Sequence, residues 1–340
     1  MTTKWYQQSG TDGDVVVSTR IRLARNLNHM PFPSSMTAEQ REEIIRPIFE
    51  AFPQDGTGAF QCMRMTDLSP LEALSMVERH LISPAFASQD EGTALLLSPD
   101  ESVSVMINEE DHIRIQAMCA GLALDEAFRA ANCWDDFLDS RLHFAFDDRL
   151  GYLTQCPTNL GTGMRASVML HLPALQEKGV IQQLANTVSK LGLTIRGMYG
   201  EGSRPEGAMY QLSNQVTLGI TEQEAIENLK SIVAQIIKEE RQYREQLRQS
   251  PSLEDRVYRS LGVLQNARLL TGKEFMALIS HVRMGVSMNV LDTVDLNCIS
   301  SLMVDAQPAA LMRQAGEKLE PAERDARRAA LVRDRLTKGA

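Results

Sequence analysis

Apolar positions along the chain recur in two spacings, and each spacing predicts a different element. After Thr221 and Glu224, which form a capping box, apolar residues recur at helical spacing through Ile236 and predict a long amphipathic helix. Apolar runs at 93–97 and 102–107, separated by a Ser-Pro-Asp-Glu turn, predict two paired strands. Together, these patterns predict a mixture of helices and neighbouring strands.

The remaining patterns divide the chain at the Ser-Pro-Ser run of residues 250–252. Before it, short apolar runs predict further strands, and start signals such as Ser69 followed by Pro70 predict helices. The further strands are expected at 15–17, 167–172, 193–196 and 211–218, and the helices at 37–52, 69–81 and 123–131. Beyond it every segment is typical of helix, with starts near Ser252, Thr271 and Pro308. We therefore expect an α+β domain over 1–249 and an all-helical domain over 250–340.

Composition narrows the class of protein. The chain has 340 residues, of which 43% are hydrophobic and 23% charged, as in globular proteins. Its net charge of −9 gives no overall basic field for nucleic acid. The first residues lack an apolar signal core, and no apolar run approaches the ~18 residues of a membrane span. The five cysteines are scattered and show no metal-ligand spacing, so we expect free thiols, no protein-bound metal and a cytoplasmic location.

Two runs of sequence carry the candidate chemistry. Residues 155–165 read Gln-Cys-Pro-Thr-Asn-Leu-Gly-Thr-Gly-Met-Arg, in which a cysteine and small residues precede an arginine. Small residues let backbone N–H groups approach an anion, and an arginine adds fixed positive charge. Residues 107–114 read Ile-Asn-Glu-Glu-Asp-His-Ile-Arg, an acidic run inside apolar sequence. The two runs indicate a site that handles both an anion and a cation.

These runs, with Ser-Thr-Arg-Ile-Arg-Leu-Ala-Arg-Asn at 18–26 and Arg-Gly-Met-Tyr-Gly-Glu at 196–201, resemble the phosphagen kinase family of creatine and arginine kinases. The closer resemblance is to the bacterial protein-arginine kinases. The family likeness implies an antiparallel sheet of about eight strands flanked by helices. It also implies transfer of the γ-phosphoryl group of ATP to a guanidinium nitrogen, with Mg²⁺ held chiefly by the phosphates and by water.

The phosphate-binding set is expected to consist of arginines. Arg20 and Arg22 lie two residues apart, so on a strand both face the same side. The resemblance adds Arg114, Arg165 and Arg196, whose planar guanidinium groups suit phosphate oxygens. The P-loop pattern is absent from the sequence. Each arginine alone is also compatible with a solvated surface position. His80 is expected to contact adenine, or otherwise to lie at a packed helix end.

The acceptor needs carboxylates, because a free guanidinium has a pKa above ~12 and is a poor nucleophile. Carboxylates can hold the guanidinium, aim one nitrogen and accept its proton. The resemblance assigns this role to Glu110, with Glu109 beside it, and to Glu201 as the second guanidinium-binding carboxylate. It makes Cys156 a reactive cysteine that orients the guanidinium. The alternative for Glu109 and Glu110 is a charged turn. For Glu201 it is a mobile loop tip, and for Cys156 an inert thiol.

A run near the end of the chain, residues 323–329, resembles the Arg-Asp-x-x-Arg-Ala motif of the bacterial protein-arginine kinases. There it binds phosphoarginine at an allosteric site. Arg324 and Arg328 lie one helical turn apart, and Asp325 adds a carboxylate. We therefore expect the helical domain to sense phosphoarginine and to mediate formation of a homodimer. The alternative is a solvated basic tail.

The chain departs from the animal enzymes in reaching the Ser-x-Arg-x-Arg motif already at Ser18. The animal enzymes carry a helical domain ahead of this motif that closes on a small guanidine, so we expect proteins with exposed arginines as substrates. Two alternatives stay open: a phosphagen kinase for free arginine or another small guanidine, and a non-catalytic phosphoarginine-binding adaptor. The resemblance also implies a role in protein quality control, with a zinc-binding activator protein, a Clp-type AAA+ protease and a heat-shock repressor as partners.

Overall fold

An antiparallel sheet of eight strands forms the centre of the protein. The computed structural model describes residues 2–52, 59–89, 91–197 and 205–338. The strands of this sheet are β1 (Val16–Arg25), β2 (Gln61–Arg64), β3 (Ala94–Leu97), β4 (Val103–Ile107), β5 (Ile113–Ala120), β8 (Met164–His171), β9 (Leu193–Gly197) and β10 (Met209–Asn214). Their spatial order is β2-β3-β4-β5-β1-β8-β10-β9, and a separate hairpin pairs β6 (Phe146–Asp147) with β7 (Gly151–Tyr152).

Helices flank the sheet and make up the last part of the described chain. Those before residue 249 are α1 (Ala38–Ala51), α2 (Pro70–Glu78), α3 (Pro84–Ala87), α4 (Leu124–Leu142), α5 (Pro173–Glu177), α6 (Ile181–Lys190) and α7 (Glu222–Arg248). The later ones are α8 (Pro251–Asn266), α9 (Gly272–Ser287), α10 (Leu296–Asp305), α11 (Pro308–Ala315) and α12 (Pro321–Lys338). The predicted α+β fold with an antiparallel sheet and a helical C-terminal region is confirmed. Among these helices there is none with the length and apolarity that a membrane crossing requires.

One face of the sheet is mostly apolar. Side chains alternate between the two faces of a strand, so Ile21 and Leu23 of β1 share a face with Ile115 of β5 and Val168 of β8. All four are fully buried, in a core to which α1, α4, α6 and α7 also contribute. Burial of an apolar side chain of this size stabilises the fold by roughly 1.5–3 kcal/mol. This core fixes the direction of the intervening residues, which point to the opposite face.

The opposite face changes character along the strands. At one end it is apolar, and its side chains pack against the helices that follow residue 250 and against the N-terminal segment. The apolar residues at this end are Val17, Met118, Met169 and Met209. Toward the other end the same strands carry polar and cationic side chains. The helices after residue 250 share an apolar cluster distinct from the sheet core, and Met209 of the sheet also belongs to it; on this second cluster we propose the domain boundary near residue 249.

The sequence patterns underestimated the strands that carry arginine. The strand expected at 15–17 extends to Arg25, and β5 was not predicted at all. In both strands polar side chains interrupt the apolar run on the face that lines a cavity, so an apolar-run criterion ends too early. The strand expected at 211–218 ends at Asn214, whose side chain donates to the carbonyls of Met164 and Val216.

A buried ion pair connects the end of β1 to α4. Arg25, which is 1% exposed, donates from Nε and Nη2 to one carboxylate oxygen of Asp135, at 3.1 and 2.8 Å. Its Nη1 donates to the Thr162 carbonyl at 3.0 Å, and the guanidinium lies 3.5 Å from the ring centre of Tyr152. Through its hydrogen bond to the Thr162 carbonyl, Arg25 therefore also anchors the turn around residue 162.

We expect Asp135→Ala to lower the free energy of unfolding by about 3 kcal/mol or more, because it leaves the Arg25 guanidinium buried without its carboxylate. The measurement is denaturant unfolding. Asp125→Ala is the matched control on the same helix, since its carboxylate pairs with Lys230 in an exposed position. Asp125→Ala should lower the free energy of unfolding by less than about 1 kcal/mol. Equal losses in the two variants would contradict the structural role of the Arg25 pair.

Candidate active site

Four strands bring the five predicted phosphate-binding arginines to one cavity. Arg22 of β1 lies opposite Arg165 of β8, and Arg114 of β5 lies opposite Ala24 of β1. Arg196 of β9 lies opposite Gln211 of β10. The cavity has a volume of about 230 Å³. The polar side chains that line it belong to Arg20, Arg22, His80, Ser83, Arg114, Gln116, Arg165, Arg196 and Gln211. We name this space the nucleotide cavity.

Crowding of like charges makes the nucleotide cavity strongly attractive to an anion. Burial, together with the charges of Arg114 and Arg165, lowers the pKa of the Arg20 guanidinium to about 10. Burial, with the charges of Arg20 and Arg114, lowers the pKa of Arg22 well below its ordinary value. These shifts reflect the free-energy cost of burying the cations and of holding them close to one another, which a bound polyphosphate would relieve. The residues therefore fit the triphosphate of ATP.

His80 closes the nucleotide cavity as a neutral ring. It follows α2 with a φ of 60°, and the Gln116 side chain donates to its carbonyl at 2.7 Å. Burial and the charge of Arg20 lower the pKa of His80 to about 4, so the ring is uncharged near neutral pH. A neutral planar ring beside cationic side chains suits contact with a base rather than with phosphate.

The acidic run forms a tight turn between β4 and β5. Asn108, with a φ of 59°, begins the turn, and its amide donates to the carbonyls of Arg41 and Gly92 at 3.1 and 2.9 Å. Asparagine is among the few residues other than glycine that adopt this left-handed conformation readily, and here its side chain also connects the turn to two distant segments. The turn thereby aims the two following glutamates in different directions.

Glu109 and Glu110 have different surroundings. Glu109 is buried, accepts a hydrogen bond from Ser83 and pairs with Arg114. The side chain of Glu110 is 38% exposed, and one of its oxygens lies 3.1 Å from Nη2 of Arg114. Glu110 also lines a second cavity of about 160 Å³. We name this second space the acceptor cavity, because a carboxylate there can hold an incoming guanidinium.

The turn of residues 155–163 forms the other wall of the acceptor cavity. Half-buried Cys156 faces this cavity, with its Sγ 3.0 Å from the hydroxyl of Thr158. A Cβ at Gly161, where φ is 110°, would lie 2.1 Å from the Thr217 carbonyl oxygen. A Cβ at Gly163 would lie 2.6 Å from the carbonyl oxygen of Ala24. Only glycine allows this turn to pack so closely on its neighbours.

The two cavities share Arg22, Arg114 and Arg165. A phosphoryl group leaving the nucleotide cavity therefore meets the acceptor cavity at these three cations. Such an arrangement suits phosphoryl transfer, which depends on in-line positioning and on stabilisation of the spreading negative charge.

Asp111 holds the two walls of the acceptor cavity together. Its fully buried carboxylate accepts from the Asn26 amide at 2.6 Å and from the Gln155 backbone N–H at 2.8 Å. The neighbouring His112 accepts at Nδ1 from the Leu27 N–H at 2.9 Å and donates from Nε2 to the carbonyl oxygen of residue 31 at 2.8 Å. Burial lowers the pKa of His112, in keeping with this neutral form. These bonds connect the Glu110 turn, the Cys156 turn and the end of β1.

Several residues of the site were not singled out from the sequence. Gln116 lies two positions beyond Arg114 on β5, so the alternation rule would have found it had that strand been predicted. Asn26 and Asp111 stand inside the motifs already quoted, but no sequence signal assigned them a role. Ser83 caps α3 just before Pro84, a local signal for a helix start rather than for a site. Glu201 lies outside the described residues, so its position relative to the acceptor cavity is not described.

The three residues predicted to bind phosphoarginine lie on α12, and they differ in burial and in hydrogen bonding. Arg328 is buried, and its guanidinium donates to the carbonyls of Ala306 and Leu270 and to Asp325, at 2.9, 2.8 and 2.7 Å. Arg324 is half-buried. The hydrogen bonds of the Arg328 guanidinium thus attach α12 to the segments that contain Ala306 and Leu270.

A cationic cavity joined to a cavity that holds a carboxylate and a thiol, on an antiparallel sheet, is the arrangement of a guanidino phosphotransferase. The chain belongs to that family. The profile "ATP:guanido phosphotransferase, C-terminal catalytic domain" matches residues 41–243, and "Protein-arginine kinase McsB C-terminal domain" matches residues 250–340.

Curated relatives place the chain in one branch of the family. It is 47% identical to the protein-arginine kinase of Bacillus subtilis over 337 residues, which is 98% of this chain and 93% of that protein. It is 46% identical to the protein-arginine kinase of Halothermothrix orenii over 334 residues, 98% and 96% of the two chains.

Solved structures confirm the fold. A crystal structure of lombricine kinase matches with a TM-score of 0.61 at 25% identity, covering 68% of each chain. The duplicated taurocyamine kinase from Schistosoma mansoni, with bound transition state analog components, also gives 0.61, at 27% identity over 78% of this chain and 40% of that one. The chain is therefore a kinase of the phosphagen-kinase fold.

We expect alkylation of Cys156 to be faster than that of the other four cysteines and to slow when ATP and Mg²⁺ are bound. Cys156 faces a cavity, whereas burial raises the pKa of the Cys62, Cys119 and Cys298 thiols. Labelling followed by peptide mass spectrometry measures the rates. Exposed Cys133 is the control, since its rate should not respond to nucleotide. Uniform labelling that ignores nucleotide would exclude Cys156 from the site.

Proposed function

We propose that the chain transfers the γ-phosphoryl group of ATP to arginine side chains of proteins, with Mg²⁺ bridging the phosphates. The observation that carries the proposal is the acceptor cavity, which joins the nucleotide cavity at three arginines and presents Glu110 at the protein surface. An arginine side chain that projects from a polypeptide can reach such an open cavity. The protein-arginine kinases that match nearly the whole chain support the same acceptor.

The roles of the residues follow from their positions. Arg20, Arg22, Arg114, Arg165 and Arg196 would hold the phosphates and stabilise the charge that spreads over the transferred group. An Nη atom of the acceptor arginine attacks the γ-phosphorus, the bond from that phosphorus to the ADP oxygen breaks, and the lost guanidinium proton moves to the Glu110 carboxylate. Glu109 would position Arg114, and His80 would contact the base. Cys156 would orient the guanidinium, and the family resemblance alone adds Glu201 as the second carboxylate.

The test is to incubate the protein with ATP, Mg²⁺ and an unfolded arginine-containing protein and to search for acid-labile phosphate on arginine by mass spectrometry. We expect phosphoarginine on the protein and much slower turnover of free arginine. Glu110→Ala should reduce the rate at least ~10²-fold, the usual contribution of an acid–base residue. Its ATP affinity should stay within a few-fold, because Glu109 still pairs with Arg114.

Three results would contradict the proposal. Faster turnover of free arginine would favour a phosphagen kinase, for which the solved relatives are precedents. Absence of ATP turnover would favour a phosphoarginine-binding adaptor. Near-normal activity of a folded Glu110→Ala variant would remove Glu110 from the mechanism.

The cellular part of the proposal rests on the family resemblance. Arginine phosphorylation would mark proteins for a Clp-type AAA+ protease in the cytoplasm as part of protein quality control. A zinc-binding activator protein and a heat-shock repressor would be partners, and the helical domain would mediate a homodimer.

We also propose that α12 senses phosphoarginine, and the surroundings of α12 support a coupling route. Arg324 and Arg328 both act electrostatically on Glu78, whose carboxylate accepts from the backbone N–H groups of Ala309 and Ala310 at 2.8 and 3.0 Å. Glu78 ends α2, two residues before His80 of the nucleotide cavity. A phosphate that drew Arg324 away from Glu78 would change the support of that helix end.

We expect Arg324→Ala to weaken binding of free phosphoarginine about tenfold or more, because hydrogen bonds to charged groups contribute about 1.5–3 kcal/mol. Calorimetry with the active site blocked measures the affinity. Arg327→Ala, which removes an exposed cation of the same helix, is the control and should bind normally. Equal binding by both variants and the unchanged protein, or none by any of them, would contradict the sensing role.

A further inference from the structure

Large exposed apolar side chains collect beside the acceptor cavity. In the part of the chain that the structure describes, the turn of residues 155–163 is hydrogen-bonded to several neighbouring segments. Three of these segments each expose at least one large apolar side chain. The residues concerned are Phe32, Phe146, Leu150, Val216 and Leu218, exposed by 38%, 58%, 43%, 43% and 48%. We name these five residues the apolar rim.

The hairpin β6–β7 supplies the first part of the rim. Tyr152 of β7 pairs with Gly161 of the turn, with the Tyr152 N–H 2.8 Å from the Gly161 carbonyl oxygen. Phe146 lies opposite Tyr152 in the hairpin, with ring centres 5.2 Å apart, and Leu150 lies in the hairpin turn. The hairpin is therefore attached directly to the wall of the acceptor cavity.

The segment after β10 supplies the second part. The Thr217 hydroxyl donates to the carbonyls of Thr158 and Leu160 at 3.0 and 2.8 Å, and the Thr162 N–H donates to the Thr217 carbonyl at 2.9 Å. Its neighbours Val216 and Leu218 stay exposed on either side of this anchored threonine.

Phe32 lies on the third segment. Two residues further on, the hydroxyl of Ser34 donates to the Gln155 side chain at 2.8 Å. Gln155 is the residue whose backbone N–H is held by Asp111. All parts of the rim thus depend on the same turn that carries Cys156.

Exposed apolar groups gathered around a cavity are typical of an interaction surface. We propose that the apolar rim binds the acceptor polypeptide itself, through large apolar side chains that flank the target arginine. This inference rests on the proposed function, and it adds a preference for the sequence around the acceptor.

The dimensions of an extended chain suit this arrangement. Successive residues of an extended peptide advance by about 3.3 Å, so residues two or three positions from the arginine can contact groups beside the cavity. A small free guanidine has no such flanking groups and gains nothing from the rim. Apolar sequence around an arginine is buried in a folded protein, so the rim favours segments exposed by unfolding.

The test compares two peptides that each contain one arginine, flanked by leucine and phenylalanine in one peptide and by alanine in the other. We expect the unchanged protein to have a KM at least about tenfold lower for the apolar peptide, the factor that corresponds to about 1.4 kcal/mol. Leu150→Ser/Leu218→Ser should remove most of this difference. It should leave kcat and the KM for ATP near their original values. Leu269→Ser, which changes an exposed leucine between α8 and α9, is the matched control and should keep the difference.

The outcomes separate this inference from the proposed function. Equal KM values for the two peptides in the unchanged protein would overturn the rim while leaving protein-arginine phosphorylation intact. Failure to phosphorylate either peptide would instead count against the proposed function. If Leu150→Ser/Leu218→Ser retained the peptide preference and altered only the size of the protein in solution, the surface would be an interface between copies of the chain. Phe32→Ser provides a second variant outside the hairpin, so that a folding defect in the first does not decide the result.

Discussion

Repulsion between guanidinium groups is the interaction on which the site depends. Arg20, Arg22, Arg114 and Arg165 lie on three adjacent strands, and burial together with the proximity of these like charges lowers the pKa of Arg20 and Arg22. The protein tolerates this cost because the opposite sides of the same strands are buried in one apolar core. The arginines could move apart only if these strands moved, and that would displace Ile21, Leu23 and Val168 from the core. The core therefore holds the cations together in the absence of an anion. A polyphosphate then binds to charges that are already in place, and little reorganisation is needed during transfer.

The second constraint is the change of character along one sheet face. Apolar residues such as Met118 and Met169 bind the C-terminal helices, and two residues further along the same strands the side chains are Gln116 and Ser167, followed by the arginines. The helical domain therefore lies against strands that also form the floor of the nucleotide cavity. A change in the packing of those helices would therefore act on the nucleotide cavity through the strands and through α2. The phosphoarginine sensing proposed above would use this path by favouring one of two packings of the helices.

The sequence was sufficient for the fold class and for the motifs, and the reasons for its failures are specific. Capping boxes at Thr37, Ser69 and Thr221 begin helices as predicted, because a cap is a local hydrogen-bond pattern. Strand β5 was missed because Arg114 and Gln116 interrupt its apolar pattern, and those interruptions are the functional residues. The different surroundings of Glu109 and Glu110 could not be predicted from the sequence, in which they are two adjacent glutamates. They depend on the φ of Asn108 and on Ser83, which comes from a distant helix start.

The same network explains why the two chemical halves of the acceptor cavity act as one unit. Glu110 is on the β4–β5 turn and Cys156 is on the turn before β8, more than forty residues away in sequence. A single buried carboxylate oxygen of Asp111 accepts from both the end of β1 and the Cys156 turn. Because the segments of the apolar rim bond to that same turn, they are held in register with the reacting groups. The segments of the apolar rim are also separate from the arginines of the nucleotide cavity, since none of those segments contributes a strand to the eight-stranded sheet.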